Sequence, residues 1–296
     1  RLSFSAIPST THTYSLFVKN AGADFVQIAT STGFTARYQN FNLSNGTKAS
    51  GDLSLSNYSS SIKDYGNGWY RISVTADSNS SGSARFLCVP ILTDTTRNPI
   101  FTGNGTDGFY TFGHQAESAN SVGYNGEYAT SYIPTENGIK TRNQDLCTNG
   151  GDVSLINSSE GVLYAQISAL ANDLTKRSIA ISNGGSTNRI LFRYDSVSNS
   201  IKVFSIRDAV IKANLSFTVS DILDTLKFAF KYKENDFALW VNGTEVATDT
   251  SGAAPIGLNT LQFANGVNGE PFFGNTKAVG VWKEALTDAE LRSLTY

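Results

Sequence analysis

The sequence predicts an all-β protein built as two tandem antiparallel β-sandwiches, about 1–146 and 147–296, with minimal helix. Three observations predict it. In the stretch 226–233, Leu226, Phe228, Phe230 and Tyr232 alternate with Lys227, Ala229, Lys231 and Lys233, the two-residue period of a strand with one buried and one solvated face. Tight-turn signals recur along the chain: Asn45-Gly46, Gly66-Asn67-Gly68 and Asn242-Gly243 suit hairpins whose central residues need positive φ. Finally, 26 glycines and only 16% charged residues in 296 suit many short strands, and the length allows two cores.

Taken in order, Thr13–Val18 reads as a strand with Tyr14, Leu16 and Val18 on one face. Asp24–Thr30 and Phe34–Phe41 follow as strands. After the glycine turn, Trp69–Ala76 places Tyr70, Ile72 and Val74 on one face and Trp69, Arg71 and Ser73 on the other. Arg85–Leu92 is a further strand, in which Pro90 calls for an edge or a bulge. A loop at 103–108 precedes the strand Phe109–Gln115. Between Lys140 and Gly151 alternation stops and polar residues crowd together, marking the domain boundary. In the second domain Gly161–Leu170 opens the sandwich, Arg189–Tyr194 and Ile201–Arg207 form a hairpin, and Ser220–Leu223 suggests one helical turn. Past the turn Glu234–Asp236, Phe237, Leu239 and Val241 face inward while Trp240 and Asn242 face outward. Lys277–Trp282 is a strand, and Thr287 with Glu290 forms a capping box that starts a short helix, packing Leu291 and Leu294 on the sandwich edge.

A formal net charge of −2 and the lack of any Lys/Arg run argue against nucleic acid as a partner. No apolar stretch reaches the ~20 residues that cross a bilayer, so no membrane is expected as a partner, and no signal-peptide pattern stands at the start. The chain contains no methionine and starts at Arg1, so it is expected to be a piece of a longer polypeptide. Cys88 and Cys147 are expected as free thiols, since a disulfide-dependent fold carries more cysteines per residue.

Two resemblances refine this reading. The order strand, polar turn, strand ending Trp240-Val241-Asn242-Gly243, then a late strand ending in Trp282 followed by Ala285-Leu286-Thr287-Asp288-Ala289-Glu290-Leu291, resembles the laminin G-like and concanavalin A-like lectin/glucanase superfamily. The series Phe17-Val18-Lys19, Gly68-Trp69-Tyr70-Arg71-Ile72-Ser73-Val74-Thr75-Ala76, Gly105-Thr106-Asp107-Gly108 and Ala129-Thr130-Ser131-Tyr132-Ile133-Pro134-Thr135 resembles a carbohydrate-binding-module-like jelly roll. Such jelly rolls are frequent in bacteriophage tail and head fibre proteins, often directly before a concanavalin A-like domain. The resemblance implies one or two strands ahead of Thr13, so the first domain is expected to lack them or to be completed by another chain. It also implies a homotrimeric virion fibre or adhesion protein that engages cell-surface polysaccharide alongside other virion proteins. The alternative is a carbohydrate-binding region of a secreted, extracellular polysaccharide-degrading enzyme.

No enzyme is expected. The strand-face acid pattern E-x-D-x-x-E of sandwich glucanases is missing, and Asp221, Asp224, Glu234, Asp236, Glu245 and Asp249 sit at turns and strand ends. Only His12 and His114 could act as neutral-pH bases, and neither belongs to a metalloprotease or serine-hydrolase motif. Asn104, Thr106 and Asp107 offer oxygen ligands for Ca²⁺, the one cofactor suggested. Sugar binding employs aromatic rings backed by amides or arginine. The candidates are Trp69 with Arg71, Trp240 with Asn242, and Tyr124 or Tyr128 on a loop. Of these Trp240 is the leading candidate, because strict alternation sends a large ring to the outer face.

Overall fold

The computed structural model describes residues 2–6, 8–54, 58–119, 128–135, 138–140 and 150–296. Its contacts divide the chain into two compact units, Arg1–Arg142 and Asn143–Tyr296. Both are β-sandwiches, and every paired strand among the described residues runs antiparallel.

In the first unit the strands are β1 Leu2–Ala6, β2 Thr11–Ala21, β3 Phe25–Ser31, β4 Tyr38–Asn42, β5 Thr47–Asp52, β6 Ser59–Asp64, β7 Trp69–Asp77, β8 Gly82–Ile91 and β9 Gly108–Ser118. One sheet has the order β1-β8-β3-β4-β5 and the other β6-β7-β2-β9. The alternation read from the sequence sets what lies between them: Tyr14, Leu16 and Val18 from β2, Ile72 and Val74 from β7, and Val26, Ile28, Phe41 and Phe86 from the opposite sheet form the core. Pro90 pairs with Val26 of β3, whereas β1 covers β8 only as far as Phe86. Its missing N–H therefore falls on a locally unpaired side, as proline requires. β1 was not legible in the sequence, and the Phe34–Phe41 stretch is strand only from Tyr38, with Phe34 making an isolated bridge to Ser78.

The second unit contains β10 Glu160–Ala169, β11 Arg177–Ser182, β12 Arg189–Tyr194, β13 Ser200–Arg207, β14 Val210–Thr218, β15 Leu226–Lys233, β16 Phe237–Val241, β17 Thr244–Asp249, β18 Thr260–Gln262, β19 Gly274–Trp282 and the helix α1 Asp288–Thr295. The sheets are β17-β16-β15-β10-β19 and β14-β13-β12-β11-β18. Leu226, Phe228, Phe230, Tyr232, Phe237, Leu239 and Val241 all enter the core between them. Ser220–Leu223 is a turn without a helical segment; Asp221 accepts from the backbone N–H of Leu223 at 2.9 Å and stops the chain there.

The helix begins as its capping box dictates: Glu290 accepts from the Thr287 backbone N–H at 2.8 Å, and the Thr287 hydroxyl accepts from the Glu290 N–H at 3.4 Å. Its position corrects the sequence reading. α1 lies on the outer face of the β17-β16-β15-β10-β19 sheet, where Leu291 packs with Val162, Tyr164, Ala229, Ala238 and Trp240. Cross-strand register places Trp240 beside Ala229, Ala229 beside Tyr164, and Tyr164 beside Gly280. Two small residues in that row leave a floor on which a helix can settle between two large rings.

Candidate functional site

The outer face of the β6-β7-β2-β9 sheet carries the candidate site, and its register fixes which side chains meet. Odd-numbered residues of β2 point away from the core. Lys19 lies beside Trp69 and Tyr110, Phe17 beside Arg71 and Phe112, Ser15 beside Ser73 and Gln115, and Thr13 beside Thr75 and Glu117. On the far side, Lys63 of β6 pairs with Arg71. Four cross-strand rows result, aromatic and basic at one end and hydroxyl-rich at the other.

At the aromatic end three planar groups stand in a row. Phe112 stacks on Phe17 with centroids 4.5 Å apart and planes 9° from parallel, and the Arg71 guanidinium carbon lies 5.3 Å from the centroid of Phe17. Arg71 also donates from Nη2 to the Ser15 hydroxyl at 2.9 Å, while its buried Nε has no hydrogen-bond partner. Three further rings are turned across this stack: Trp69 at 82° and 5.2 Å from Phe112, Tyr65 at 87° and 5.1 Å from Phe17, and Tyr132 at 82° and 6.4 Å from Phe112. The edge-to-face contacts suit the ring quadrupoles. Phe112 is 48% exposed, Tyr65 50%, Tyr110 62% and Tyr132 39%, so the cluster opens to solvent.

A β-bulge makes the stack possible. Between Ser15 and Phe17 the register of β9 slips by one residue, so Gly113 and His114 together oppose Leu16. Gly113 has φ +63°, and a Cβ there would lie 3.0 Å from the Phe17 ring and 3.3 Å from that of Tyr132. Only glycine lets those two rings close over the bulge. His114 faces the other way, its Nδ1 2.7 Å from the Tyr14 hydroxyl and its Nε2 3.1 Å from the Thr111 hydroxyl. Burial lowers the pKa of His114 and raises that of the Tyr14 phenol far above its ordinary value. His12 is packed against Phe4 and Phe34 with Nδ1 2.8 Å from the Thr10 carbonyl, and burial lowers its pKa too.

The segment 128–133 straps the neighbouring rows. The Glu117 carboxylate accepts from the Thr130 backbone N–H at 3.0 Å and from the Thr130 hydroxyl, and Gln115 Oε1 accepts from the Ile133 N–H at 2.8 Å. This strap carries Tyr132 to the aromatic cluster. It also accounts for a difference from the sequence reading, because Tyr128 is buried at 9% exposure and offers no free ring face. Tyr124 and Cys147 lie outside the described residues; Cys88 is a free thiol.

Of the sequence-predicted residues, then, Trp69 and Arg71 are brought together, and Phe17, Tyr65, Phe112 and Tyr132 join them. The signal for Phe17 and Phe112 was present as outward positions of adjacent strands. The pairing of those strands was not. Trp240 is corrected outright: it is 3% exposed, covered by α1, with the Arg292 guanidinium 6.0 Å from its ring centroid. Asn242 spends its side chain on the Lys227 backbone N–H at 2.9 Å, closing the β15–β16 hairpin. At the proposed Ca²⁺ loop the side chains satisfy one another. Asn104 donates to Asp107 at 2.7 Å, Thr106 donates to Asp107 at 3.2 Å, and Asn104 Oδ1 accepts from the backbone N–H groups of Thr106 and Asp107. These are the bonds of an Asx turn, and a cation would have to displace them. Among the described residues no three His, Cys, Asp or Glu side chains gather as metal ligands.

The sequence matches none of the protein families or curated proteins compared with it. Solved structures do resemble it. The CBM40 module of the Ruminococcus gnavus IT-sialidase, bound to α2,3-sialyllactose, matches at 16% identity over 47% of this chain and 84% of that one, with a TM-score of 0.41. The leech intramolecular trans-sialidase matches at 17% identity over 47% of this chain and 23% of its own length, TM-score 0.40. Mouse laminin α1 domains LG4–5 match at 10% identity over 95% and 86%, TM-score 0.36. At these values the likeness is one of β-sandwich fold, and any functional reading rests on the residues of this chain.

Proposed function

We propose that this protein binds a glycan, without cleaving it, on the aromatic end of the β6-β7-β2-β9 sheet. One observation carries the reading: four aromatic rings 39–62% exposed converge on one end of one sheet face around a buried arginine and Trp69. Exposed ring clusters are costly to leave in water, and rings with a polar neighbour are the usual means of holding a pyranose. Glu117, the nearest carboxylate that projects on this sheet face, is committed to the Thr130 strap, which supports binding over hydrolysis.

The resemblance of the sequence to tandem domains of phage fibres supports a setting on a virion. There the protein would act as a homotrimeric fibre or adhesion component, attached to other virion proteins and turned toward host-surface polysaccharide. Affinity electrophoresis of the full chain against a panel of bacterial surface polysaccharides tests the binding. Phe112→Ser and Trp69→Ala are each expected to weaken retention about five- to twelvefold, at about 1–1.5 kcal/mol per ring. Phe112 is half-exposed, so its variant is expected to remain folded, with a melting temperature lowered by the lost contacts to Phe17, Trp69 and Tyr132. Undiminished retention by both variants contradicts the assignment.

A further inference from the structure

The charges on the proposed binding face are sorted along it. Lys19, Lys63 and Arg71 belong to the two rows that hold Phe17, Phe112, Trp69 and Tyr110. The carboxylates of this face belong to the opposite end: Glu117 is opposite Thr13, and Asp77 is opposite Thr11 with its carboxylate accepting from the Thr11 hydroxyl at 2.7 Å. Two residues of strand advance about 6.6 Å, so the Glu117 row lies about 13 Å from the Arg71 row and Asp77 farther still. These separations exceed the screening length of about 8 Å at physiological salt. Three acids lie nearer the basic end, each engaged with a neutral partner: Asp64, on the alternate face of β6 opposite Tyr70, accepts from the Gly66 backbone N–H at 2.7 Å, Asp107, beside the Ala21–Gly108 pair, accepts from Asn104 and Thr106, and Asp24 accepts from Asn20 and Ser44. Among the described residues Lys19, Lys63 and Arg71 form no ion pair. The protein as a whole is acidic, at net −2, so three cations without an acidic partner, two of them set over the Phe17 and Tyr65 rings, are a local feature and not a reflection of composition.

Resting on the reading of this face as a glycan site, we infer that its ligand is an acidic polysaccharide, with carboxylated sugars held over the rings and their charge met by Lys19, Lys63 and Arg71. A neutral sugar would satisfy the rings and leave the cations unanswered. A uronic-acid type residue satisfies both, because its apolar ring face and its carboxylate are a few ångströms apart. The basic groups then supply charge complementarity and the rings supply contact area.

The test is binding of the full chain to matched pairs that differ only in charge: polygalacturonate against its methyl ester, and acidic bacterial capsular polysaccharides against their carboxyl-reduced forms. The acidic member of at least one pair is expected to bind about tenfold or more tightly than its neutral counterpart at about 50 mM salt, and to lose most of that advantage at about 500 mM. The double variant Lys19→Gln/Lys63→Gln should lower acidic binding toward the neutral level without altering the neutral member or the melting temperature. Equal, salt-insensitive binding of both members overturns the inference and leaves the glycan site standing. So does acidic binding that the double variant does not weaken. Failure to bind any member overturns the glycan reading itself. So does a concentration-dependent dimer that Phe112→Ser dissolves, which would make the face an interface between copies.

Discussion

Trp240→Ala lowers the stability of the second unit by about 3–5 kcal/mol, the usual cost of truncating a buried tryptophan, and leaves glycan retention unchanged. The ring is 3% exposed, flanked by Ala238 and Ala229 and roofed by Leu291 of the helix. Removing it empties a space that the sheet below and the capped helix above cannot easily collapse into. The helix should suffer with it. Eight residues are too few to hold helical structure without tertiary packing, so the loss appears in far-UV circular dichroism as well as in the second unit's denaturation midpoint. A variant that melts like the parent and no longer binds glycan would instead make Trp240 a binding residue, and the site would have to move to the second unit.

Asp173→Ala is expected to cost a similar amount, about 3–5 kcal/mol, by leaving a buried guanidinium without its counter-charge. Arg177 and Asp173 have side chains 1% and 5% exposed, and Arg177 Nη2 reaches both carboxylate oxygens at 2.7 and 2.8 Å. Nη1 donates to the carbonyls of Ala171 and Thr175 at 3.2 and 3.3 Å, so the pair ties the loop before β11 to the sandwich. A companion variant separates charge from packing: Asp173→Ala combined with Arg177→Met removes the stranded cation and should recover much of the loss. Equal destabilisation of single and double variants in urea titration would show that the loop's hydrogen bonds matter and the ion pair does not.

Period-2 alternation made the sandwich fold legible because it reports on burial directly. Tyr14, Leu16, Val18, Ile72, Val74, Phe228, Phe230, Leu239 and Val241 all lie in the cores that their alternation indicates. Alternation is silent on what covers the other face. Trp240 is on the outer side as read, yet the residues that roof it are 51 or more positions later in the chain. The clue lay in the small residues Ala229, Ala238 and Gly280, which share that side with Trp240, together with an amphipathic segment carrying Leu291 and Leu294. The candidate site was half legible for a related reason. Trp69 and Arg71 stand out within one strand, but the pairing of β2 with both β7 and β9 brings Phe17 and Phe112 to them, and strand order is not written in any local pattern. Gly113 could be noticed only once the bulge was known.

The most direct measurement of the central claim is a crystal structure of the full chain with an oligosaccharide taken from a polysaccharide that it retains. The sugar is expected on the β6-β7-β2-β9 face, with a pyranose ring in van der Waals contact, about 4 Å, with Phe112 or Trp69 and a polar group toward Arg71 or Lys63. Sugar density on the second unit, with the aromatic end of the first unit empty, would contradict it.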